Sequence, residues 1–180
     1  SALKYLGYNS ICSKDHNEIV NSDKIILPGV GSFKNAMENV KKLELDLSIA
    51  EAVREKQTPI LGICLGMQLL GTSSTEDGFS KGLNLFSGTV DKFKDKSFKV
   101  PHVGFNNVQY PSGSILYNGI NENSDFYFVH SYKMQTDQNG GVAYCSHGEK
   151  FVASFEQENV FGTQFHPEKS QTNGLLLLKN

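Results

Sequence analysis

The sequence predicts an α/β fold with a largely parallel central sheet flanked by helices and with additional antiparallel strands in the C-terminal half. In the first half, short apolar runs alternate with segments in which apolar residues recur at helical spacing, which is the pattern of parallel βαβ units. In the second half, strand-like runs are joined by Gly, Asn and Asp turns, which favours antiparallel pairs. A chain of 180 residues, 38% of them hydrophobic, has room for one sizeable core, so we expect a single domain over residues 1–180.

The elements of the first half follow from the places where the apolar spacing changes. A short opening helix is expected to end at Gly7, because glycine is favoured just after a helix. Residues 22–29, SDKIILPG, predict a buried strand that ends in a turn. Helical spacing then predicts a helix over residues 32–56, followed by a strand over residues 58–64 and another helix over residues 65–71.

The second half predicts short strands and one closing helix. Gln, Glu and Asn interrupt the apolar pattern at residues 157–159, which predicts the tip of a hairpin. The last residues, TNGLLLLKN, predict a short helix. The predicted strands are SGTVDKF (87–93), FVHSYKMQT (128–136), GVAYCSH (141–147), FVASFEQE (151–158) and NVFGTQF (159–165).

Composition argues against several classes of protein. The formal net charge is -2 and the charged residues are dispersed, so we expect no nucleic-acid partner. No apolar run approaches the roughly 20 residues that span a bilayer, and no segment resembles a signal peptide, so we expect no membrane partner. The spacing of Cys12, Cys64 and Cys145 fits a reducing cytoplasm better than a disulfide framework or a zinc site. We expect a cytoplasmic protein without metal or cofactor, in which Cys12 and Cys145 are packing residues.

Residues 58–70, TPILGICLGMQLL, place Cys64 where a strand gives way to a helix. Gly62 and Gly66 flank it, and a nucleophile on a tight strand-to-helix turn needs such small neighbours. The positive end of the following helix favours the thiolate, and the amide of Leu65 is well placed to stabilise an oxyanion. The pattern predicts an exposed, reactive thiol. The alternative is a small cysteine packed in the core, since a single GxCxG pattern also occurs without catalysis.

An alternating strand ends in His166-Pro167-Glu168. A thiol nucleophile needs a base that takes its proton and later returns it to the leaving group, and imidazole does this near neutral pH. The imidazole in turn needs an acceptor that orients it, usually a carboxylate. Proline fixes the backbone between the two side chains. The alternative is a surface turn with a solvated acid, but the Cys64 turn upstream favours a catalytic triad.

Residues 26–33, ILPGVGSF, put two glycines between a strand and a helix. Such a loop can cradle a phosphate, although this one lacks the GK[ST] ending of a P-loop and the spacing of a dinucleotide site. It can also supply a second oxyanion donor near the Cys64 turn. The residues of the loop leave both possibilities open.

GICLGMQLL together with GTQFHPEKS resembles the class I (triad) glutamine amidotransferases. Within that family, the segments PGVGSFKNAM, KVPHVGFN, YFVHSY and QFHPEKSQTNGLLLLKN are similar to the glutaminase subunits of imidazole glycerol phosphate synthase, which belong to histidine biosynthesis. The resemblance covers nearly the whole chain and implies a class I glutamine amidotransferase-like fold.

The resemblance implies a role for each matching residue. Cys64 would attack the side-chain amide of glutamine and release ammonia, His166 would act as acid and base, and Glu168 would orient the imidazole. The amides of Val30 and Leu65 would form the oxyanion hole. The positions that match glutamine contacts of the family are Gly31, Gln68, Ser131 and Tyr132.

The resemblance also implies a partner, since the family passes its ammonia to a (βα)8-barrel cyclase subunit. That cyclase makes imidazole glycerol phosphate and an aminoimidazole carboxamide ribotide, so we expect a heterodimer in which residues 99–107 face the cyclase. The sequence departs from the family in two places. The usual N-terminal strand and Asp-Tyr-Gly turn are absent, from which we expect missing upstream residues, and Phe105 stands where Trp is typical.

Three other interpretations are weighed against this one. The protein could be a class I amidotransferase that serves a different acceptor, because the triad says nothing about the acceptor. It could be a γ-glutamyl Cys hydrolase, which uses the same three residue types without a partner. It could be a non-catalytic scaffold, but a scaffold has no use for Cys64, His166 and Glu168 together.

Overall fold

The computed structural model describes residues 2–95 and 97–180, and it confirms the predicted α/β architecture. No helix within these two ranges is long and apolar enough to cross a membrane. The helices are α1 (Ala2–Tyr5), α2 (His16–Val20), α3 (Phe33–Lys42), α4 (Leu45–Ala50), α5 (Leu65–Leu70) and α6 (Gln171–Lys179), with a π-helical turn at Glu51–Glu55 and a 3-10 turn at Pro167–Lys169.

The strands form one large sheet and two small ones. They are β1 (Ile25–Gly29), β2 (Ile60–Cys64), β3 (Ser73–Ser74), β4 (Ser80–Lys81), β5 (Thr89–Lys92), β6 (His102–Asn107), β7 (Asp125–His130), β8 (Tyr132–Gln135), β9 (Val142–His147), β10 (Glu149–Gln157) and β11 (Val160–Thr163). The large sheet has the order β1-β2-β11-β10-β9. The small sheets have the orders β4-β3-β5-β8 and β6-β7.

The large sheet is parallel on one side and antiparallel on the other. β2 lies between β1 and β11 and runs parallel to both, whereas β10 is antiparallel to β11 and to β9. The predicted hairpin tip is confirmed, because Gln157 pairs with Val160. Because β1, β2 and β11 are parallel, their carboxyl ends meet at one edge. That edge brings together Gly29, Cys64 and the chain that follows Thr163.

The prediction of one continuous helix over residues 32–56 is wrong, because the segment is divided. α3 ends at Lys42, Glu44 takes a left-handed φ of 54°, and α4 begins at Leu45. The apolar positions give the reason, because Val40 and Ile49 are both buried. At about 100° per residue, nine residues of straight helix would place these two side chains on opposite faces. The break allows both to be buried.

Two further differences concern strands. The single strand predicted over residues 128–136 is divided at Ser131, since β7 pairs with β6 and β8 pairs with β5 in another sheet. β6 itself is not predicted by the apolar pattern, because Gly104 and two asparagines interrupt the alternation. The divided strand matters for the site, since it places Ser131 at the junction of two sheets.

Two apolar clusters surround the sheets. The first includes Phe33, Met67 and Phe155, so it packs α3 and α5 against the large sheet. The second includes Phe128 and Phe165 and lies between β7 and the chain after β11. Leu65, directly after β2, belongs to the first cluster, and Phe165, after β11, belongs to the second, so apolar packing holds the chain at the carboxyl end of both strands.

Candidate active site

Cys64 occupies the tight turn that the sequence predicts. It is the last residue of β2 and immediately precedes α5, and its backbone has φ 54° and ψ -110°. A non-glycine residue at positive φ stores about 1–3 kcal/mol of strain, which persists only where the surroundings impose it. The flanking glycines are required, because a Cβ on Gly66 would lie 1.7 Å from the carbonyl oxygen of Leu27 and one on Gly62 would lie 2.7 Å from the backbone of Met67.

The thiol is more covered than predicted. The sequence predicts an exposed cysteine, but only 8% of Cys64 is exposed. Its sulfur lies 3.9 Å from the carbonyl oxygen of Val129 and 3.8 Å from Nε2 of Gln164. The reason is that the carboxyl ends of β7 and β11 both reach the turn and cover the sulfur with polar groups. The covering atoms are hydrogen-bonding groups, unlike the apolar shell around a packing cysteine.

His166 and Glu168 form the predicted pair. Nδ1 of His166 lies 2.7 Å from Oε1 of Glu168 across the Pro167–Lys169 turn. Ser170 holds the backbone of His166, since its hydroxyl donates to the carbonyl oxygen of His166 at 2.7 Å. The same hydroxyl accepts a 2.9 Å bond from the amide of Tyr127, which fastens the turn to β7. The imidazole is therefore held on both its ring and its backbone.

The imidazole of His166 responds to the side chains on both sides of it. The neighbouring Cys64 side chain, followed by the Glu168 carboxylate, raises the pKa of His166 to about 9 against the opposing effect of burial. Burial raises the pKa of Glu168, but the bond with His166 and other contacts outweigh this and lower that pKa below its usual value. Because Nδ1 is taken by Glu168, Nε2 is the nitrogen left for the sulfur. It is buried and makes no hydrogen bond to a described residue.

The loop after β1 passes directly beside Cys64. Gly29 is the register partner of Cys64, so the chain continues past the thiol through Val30 and Gly31. Val30 is 85% exposed. Gly31 has a φ of 101°, a conformation that favours glycine. The amide of Leu65 is the first of α5. The roles of the Val30 and Leu65 amides in an oxyanion hole stay predictions.

A carboxylate that the sequence does not single out anchors the end of this loop. The amide of Phe33, at the start of α3, donates to Oε2 of Glu76 at 2.7 Å. Ser32 makes no side-chain cap to α3, and Glu76 satisfies one of the amides at the helix start that have no partner within the helix. Burial raises the pKa of Glu76, the Phe33 bond opposes the rise, and the charge of Asp77 adds to it.

The predicted glutamine contacts lie around the same edge. Gln68 is buried on α5, and its Nε2 donates to the carbonyl oxygen of Tyr132 at 3.1 Å. Ser131 lies at the junction of β7 and β8, next to Val129 and its sulfur contact. Burial raises the pKa of Tyr132, and the charges of Glu76 and Asp77 raise it further. That these residues bind glutamine stays a prediction.

Gln164 and Glu76 are the site residues that sequence reasoning missed. Gln164 is fully buried and touches both the sulfur and Gln68. It carries the only side-chain amide in the run VFGTQF. Because a buried side-chain amide needs hydrogen-bond partners, its place two residues before His166 could have indicated a residue of the site. Glu76 carries no such signal, because it lies in a polar loop.

The remaining cysteines behave differently from each other. Cys145 is buried, as predicted, and burial raises the pKa of its thiol to about 12. Cys12 is exposed, so its prediction as a packing residue is wrong. The segment around Cys12 lacks regular structure, and Ile11 beside it is exposed too. Within residues 2–95 and 97–180, no three His, Cys, Asp or Glu side chains are grouped so that they could hold a metal ion.

Comparison with known proteins agrees with this geometry. The family model for glutamine amidotransferase class-I matches residues 3–180. Among solved structures, a glutamine amidotransferase superposes with a TM-score of 0.70 at 16% identity, over 99% of this chain and 87% of that one. The glutaminase domain of Trypanosoma brucei CTPS, with bound acivicin, superposes with a TM-score of 0.65 at 18% identity, over 98% and 82% of the two chains. These likenesses show the fold.

Curated relatives narrow the family. The imidazole glycerol phosphate synthase subunit HisH 1 of Parasynechococcus marenigrum is 45% identical over 100% of this chain and 88% of its own length. HisH 1 of Campylobacter jejuni is 44% identical over 99% and 90%, and HisH of Haemophilus influenzae is 44% identical over 99% and 87%. The chain therefore belongs to the class I glutamine amidotransferases, in the group of HisH subunits of imidazole glycerol phosphate synthase.

Proposed function

We propose that this chain hydrolyses glutamine to glutamate and ammonia through a thioester at Cys64, and that a cyclase subunit uses the ammonia to make imidazole glycerol phosphate in histidine biosynthesis. The observation that carries the proposal is the order sulfur, imidazole, carboxylate. Cys64 is the largest cause of the raised pKa of His166, whose Nε2 is buried without a hydrogen bond to a described residue and whose Nδ1 is 2.7 Å from Glu168. The HisH names of relatives at 44–45% identity support the acceptor pathway.

The proposed reaction uses the triad twice. The thiolate of Cys64, whose proton rests on the imidazole of His166, bonds to the side-chain carbonyl carbon of glutamine, and the carbonyl oxygen takes up the negative charge. His166 gives its Nε2 proton to the nitrogen as the carbon–nitrogen bond breaks, and ammonia leaves. Water then gives a proton to the same nitrogen of His166 and attacks the thioester. The carbon–sulfur bond breaks, the sulfur leaves as the thiolate beside the protonated imidazole, and glutamate is released.

The backbone around the turn supports the intermediate in this proposal. Negative charge develops on the carbonyl oxygen during the reaction. Backbone amides that point at this oxygen stabilise the charged intermediate more than they stabilise the bound substrate, and so they lower the barrier. Leu65 donates from the start of α5, and Val30 donates from the loop that passes Cys64. Gly31, Gln68, Ser131 and Tyr132 bind the rest of glutamine. Gly31 suits a loop whose amides must turn, because its φ of 101° is accessible to glycine.

The proposed partner is the (βα)8-barrel cyclase, in a heterodimer, and the face of β6 is the proposed contact. Val103 and Phe105 in residues 99–107 are 56% and 49% exposed. The ring of Phe105 lies 5.5 Å from the ring of Tyr127. The ammonium of Lys169 lies 5.9 Å from the ring of Tyr127. An exposed apolar group with a charge at its margin is typical of a protein interface. We also propose that the complex works in the cytoplasm.

One experiment tests the function. We expect ammonia release from glutamine to rise when the cyclase and its nucleotide ligand are added, and Cys64→Ala to abolish it. Acivicin, a glutamine-like electrophile, is expected to label Cys64 and to spare the exposed Cys12, as judged by peptide mass spectrometry. Glu168→Gln is expected to slow turnover less than Cys64→Ala, because the sulfur forms the covalent bond and the carboxylate only orients the base.

The same experiment separates the competing functions. Hydrolysis of γ-glutamyl peptides at full rate without the cyclase would identify a γ-glutamyl hydrolase instead. Glutamine hydrolysis that ignores this cyclase but responds to a different synthase would keep the chemistry and reject the acceptor. Labelling of Cys12 in place of Cys64 would reject the nucleophile.

A further inference from the structure

The side chain of Gln164 connects the nucleophile to a second amide. Gln164 follows β11 and is fully buried. Its Nε2 lies 3.8 Å from the sulfur of Cys64, within the range of a hydrogen bond to sulfur. Its Oε1 accepts a 2.8 Å bond from Nε2 of Gln68. Gln68 donates again, at 3.1 Å, to the carbonyl oxygen of Tyr132.

The backbone carbonyl at the end of this chain fixes the orientation of both amides. The carbonyl oxygen of Tyr132 can only accept, so the group of Gln68 that faces it is the NH2. The same NH2 lies 2.8 Å from Gln164, so Gln164 must present its oxygen there. The NH2 of Gln164 is then left for the sulfur of Cys64. Reversing either amide would put two acceptors or two donors together.

We propose that Gln164 is a positioning residue for glutamine hydrolysis: its amide stabilises the thiolate of Cys64 and, through Gln68, leaves a carbonyl oxygen free to accept from the substrate amide. The inference rests on the proposed function. A donor beside a thiolate stabilises the charged form. Both hydrogens of the Gln68 NH2 are used, so its Oε1 is the group left for a ligand.

Packing alone does not require an amide at this position. The backbone amide of Gln164 already bonds to the carbonyl oxygen of Ala153 at 2.8 Å, so the strand pairing is independent of the side chain. Phe165, the next residue, is fully buried in an apolar cluster. Burying a carboxamide costs free energy unless each polar atom is bonded. Here one bond leads to the proposed nucleophile and the other to a residue that is proposed to bind glutamine.

The test replaces Gln164 by methionine, which keeps the length of the side chain and removes the donor and the acceptor. We expect alkylation of Cys64 by iodoacetamide at pH 7 to slow several-fold, because less of the thiolate forms without the donor. We expect kcat to fall because less thiolate forms, and KM for glutamine to rise because Gln68 is no longer held. Cys12 in the same sample is the internal control, and its alkylation rate is expected to stay unchanged.

A matched variant and a measurement on the unaltered protein complete the test. Ser154→Ala also removes a buried polar group, one that bonds Tyr117 away from the thiol, and it is expected to leave the alkylation profile unchanged. A folded Gln164→Met protein with an unchanged profile and unchanged kcat would overturn the proposal. If that variant does not fold, nuclear magnetic resonance of the wild type decides. The side-chain amide protons of Gln164 must shift over the pH range in which Cys64 becomes reactive, and a constant signal would overturn the proposal.

Failure of this inference is distinguishable from failure of the proposed function. Alkylation and amide shifts are measured without glutamine and without the cyclase. A wild-type protein that shows the coupling but hydrolyses no glutamine would reject the function and keep the contact. A wild-type protein that hydrolyses glutamine but shows no coupling would reject the positioning role alone.

Discussion

The side chain of His166 interacts with Cys64 and with Glu168. The strength of both interactions depends on whether the imidazole is protonated. The folded protein favours the charged imidazole of His166, because Cys64 and Glu168 raise its pKa to about 9. An unfolded histidine has a pKa near 6.5. The proton on His166 therefore stabilises the fold fully below about pH 6.5, and this contribution is lost as the pH rises toward 9.

The free energy of unfolding is predicted to reflect this window. We expect the difference between wild type and His166→Gln to be largest near pH 6 and to shrink steadily up to pH 9.5, as measured by denaturant unfolding at each pH. Cys64→Ala is the control. This variant lacks the largest cause of the raised pKa of His166. The stability that it loses as the pH rises is therefore expected to be smaller, and the loss is expected to occur at lower pH. A difference that stays constant or grows with pH would contradict this account.

At the scale of elements, the approach of α5 to β1 depends on Gly66. A Cβ at Gly66 would lie 1.7 Å from the carbonyl oxygen of Leu27 and 2.7 Å from its carbonyl carbon. These are backbone atoms of β1 and cannot rotate away. α5 would have to move off the sheet, and Cys64, which joins β2 to α5, would move with it.

We predict that Gly66→Ala lowers the free energy of unfolding by about 3 kcal/mol, because overpacking against backbone is not relieved by a rotamer change. Denaturant unfolding measures this change. Gly140→Ala is the matched control, because a Cβ there meets no atom within 4 Å and its backbone needs no positive φ. It is expected to change stability by less than about 0.5 kcal/mol. Equal effects of the two substitutions would refute the close-contact explanation.

The same elements show what could be read from the sequence. The strand ending at Cys64, the helix after it and the His166-Glu168 corner were predictable, because glycines, proline and local periodicity determine them. The break at Glu44 and the division at Ser131 were not, since each depends on which distant strand or cluster buries the neighbouring residues. The buried amide of Gln164 could have been suspected from the sequence, but its partner Gln68 could not, because the two residues are 96 positions apart.

At the scale of the whole molecule, an ion pair joins the four-stranded sheet to the large five-stranded sheet. Lys133 lies in β8 of the four-stranded sheet and is only 1% exposed, and its Nζ is 3.1 Å from Oε2 of Glu149 in β10 of the large sheet. The carboxylate of Glu149 also accepts from the backbone amides of Lys94 and Asp95. This charge pair, whose lysine is buried and whose carboxylate is partly exposed, contributes to the position of one sheet against the other.

Lys133 is the buried member of this pair, so the cost is largest when its ammonium is left without a partner. We predict that Glu149→Gln lowers the free energy of unfolding by about 3 kcal/mol for this reason. Lys133→Met is expected to cost less, because the carboxylate of Glu149 is partly exposed and keeps its two backbone donors. The double variant is expected to lose less than the sum of the two, because it contains neither the ammonium nor the carboxylate. Denaturant unfolding of the four proteins in a double-mutant cycle measures the coupling. Additive losses would mean that the two side chains are not coupled. The ion pair would then not be what holds one sheet against the other.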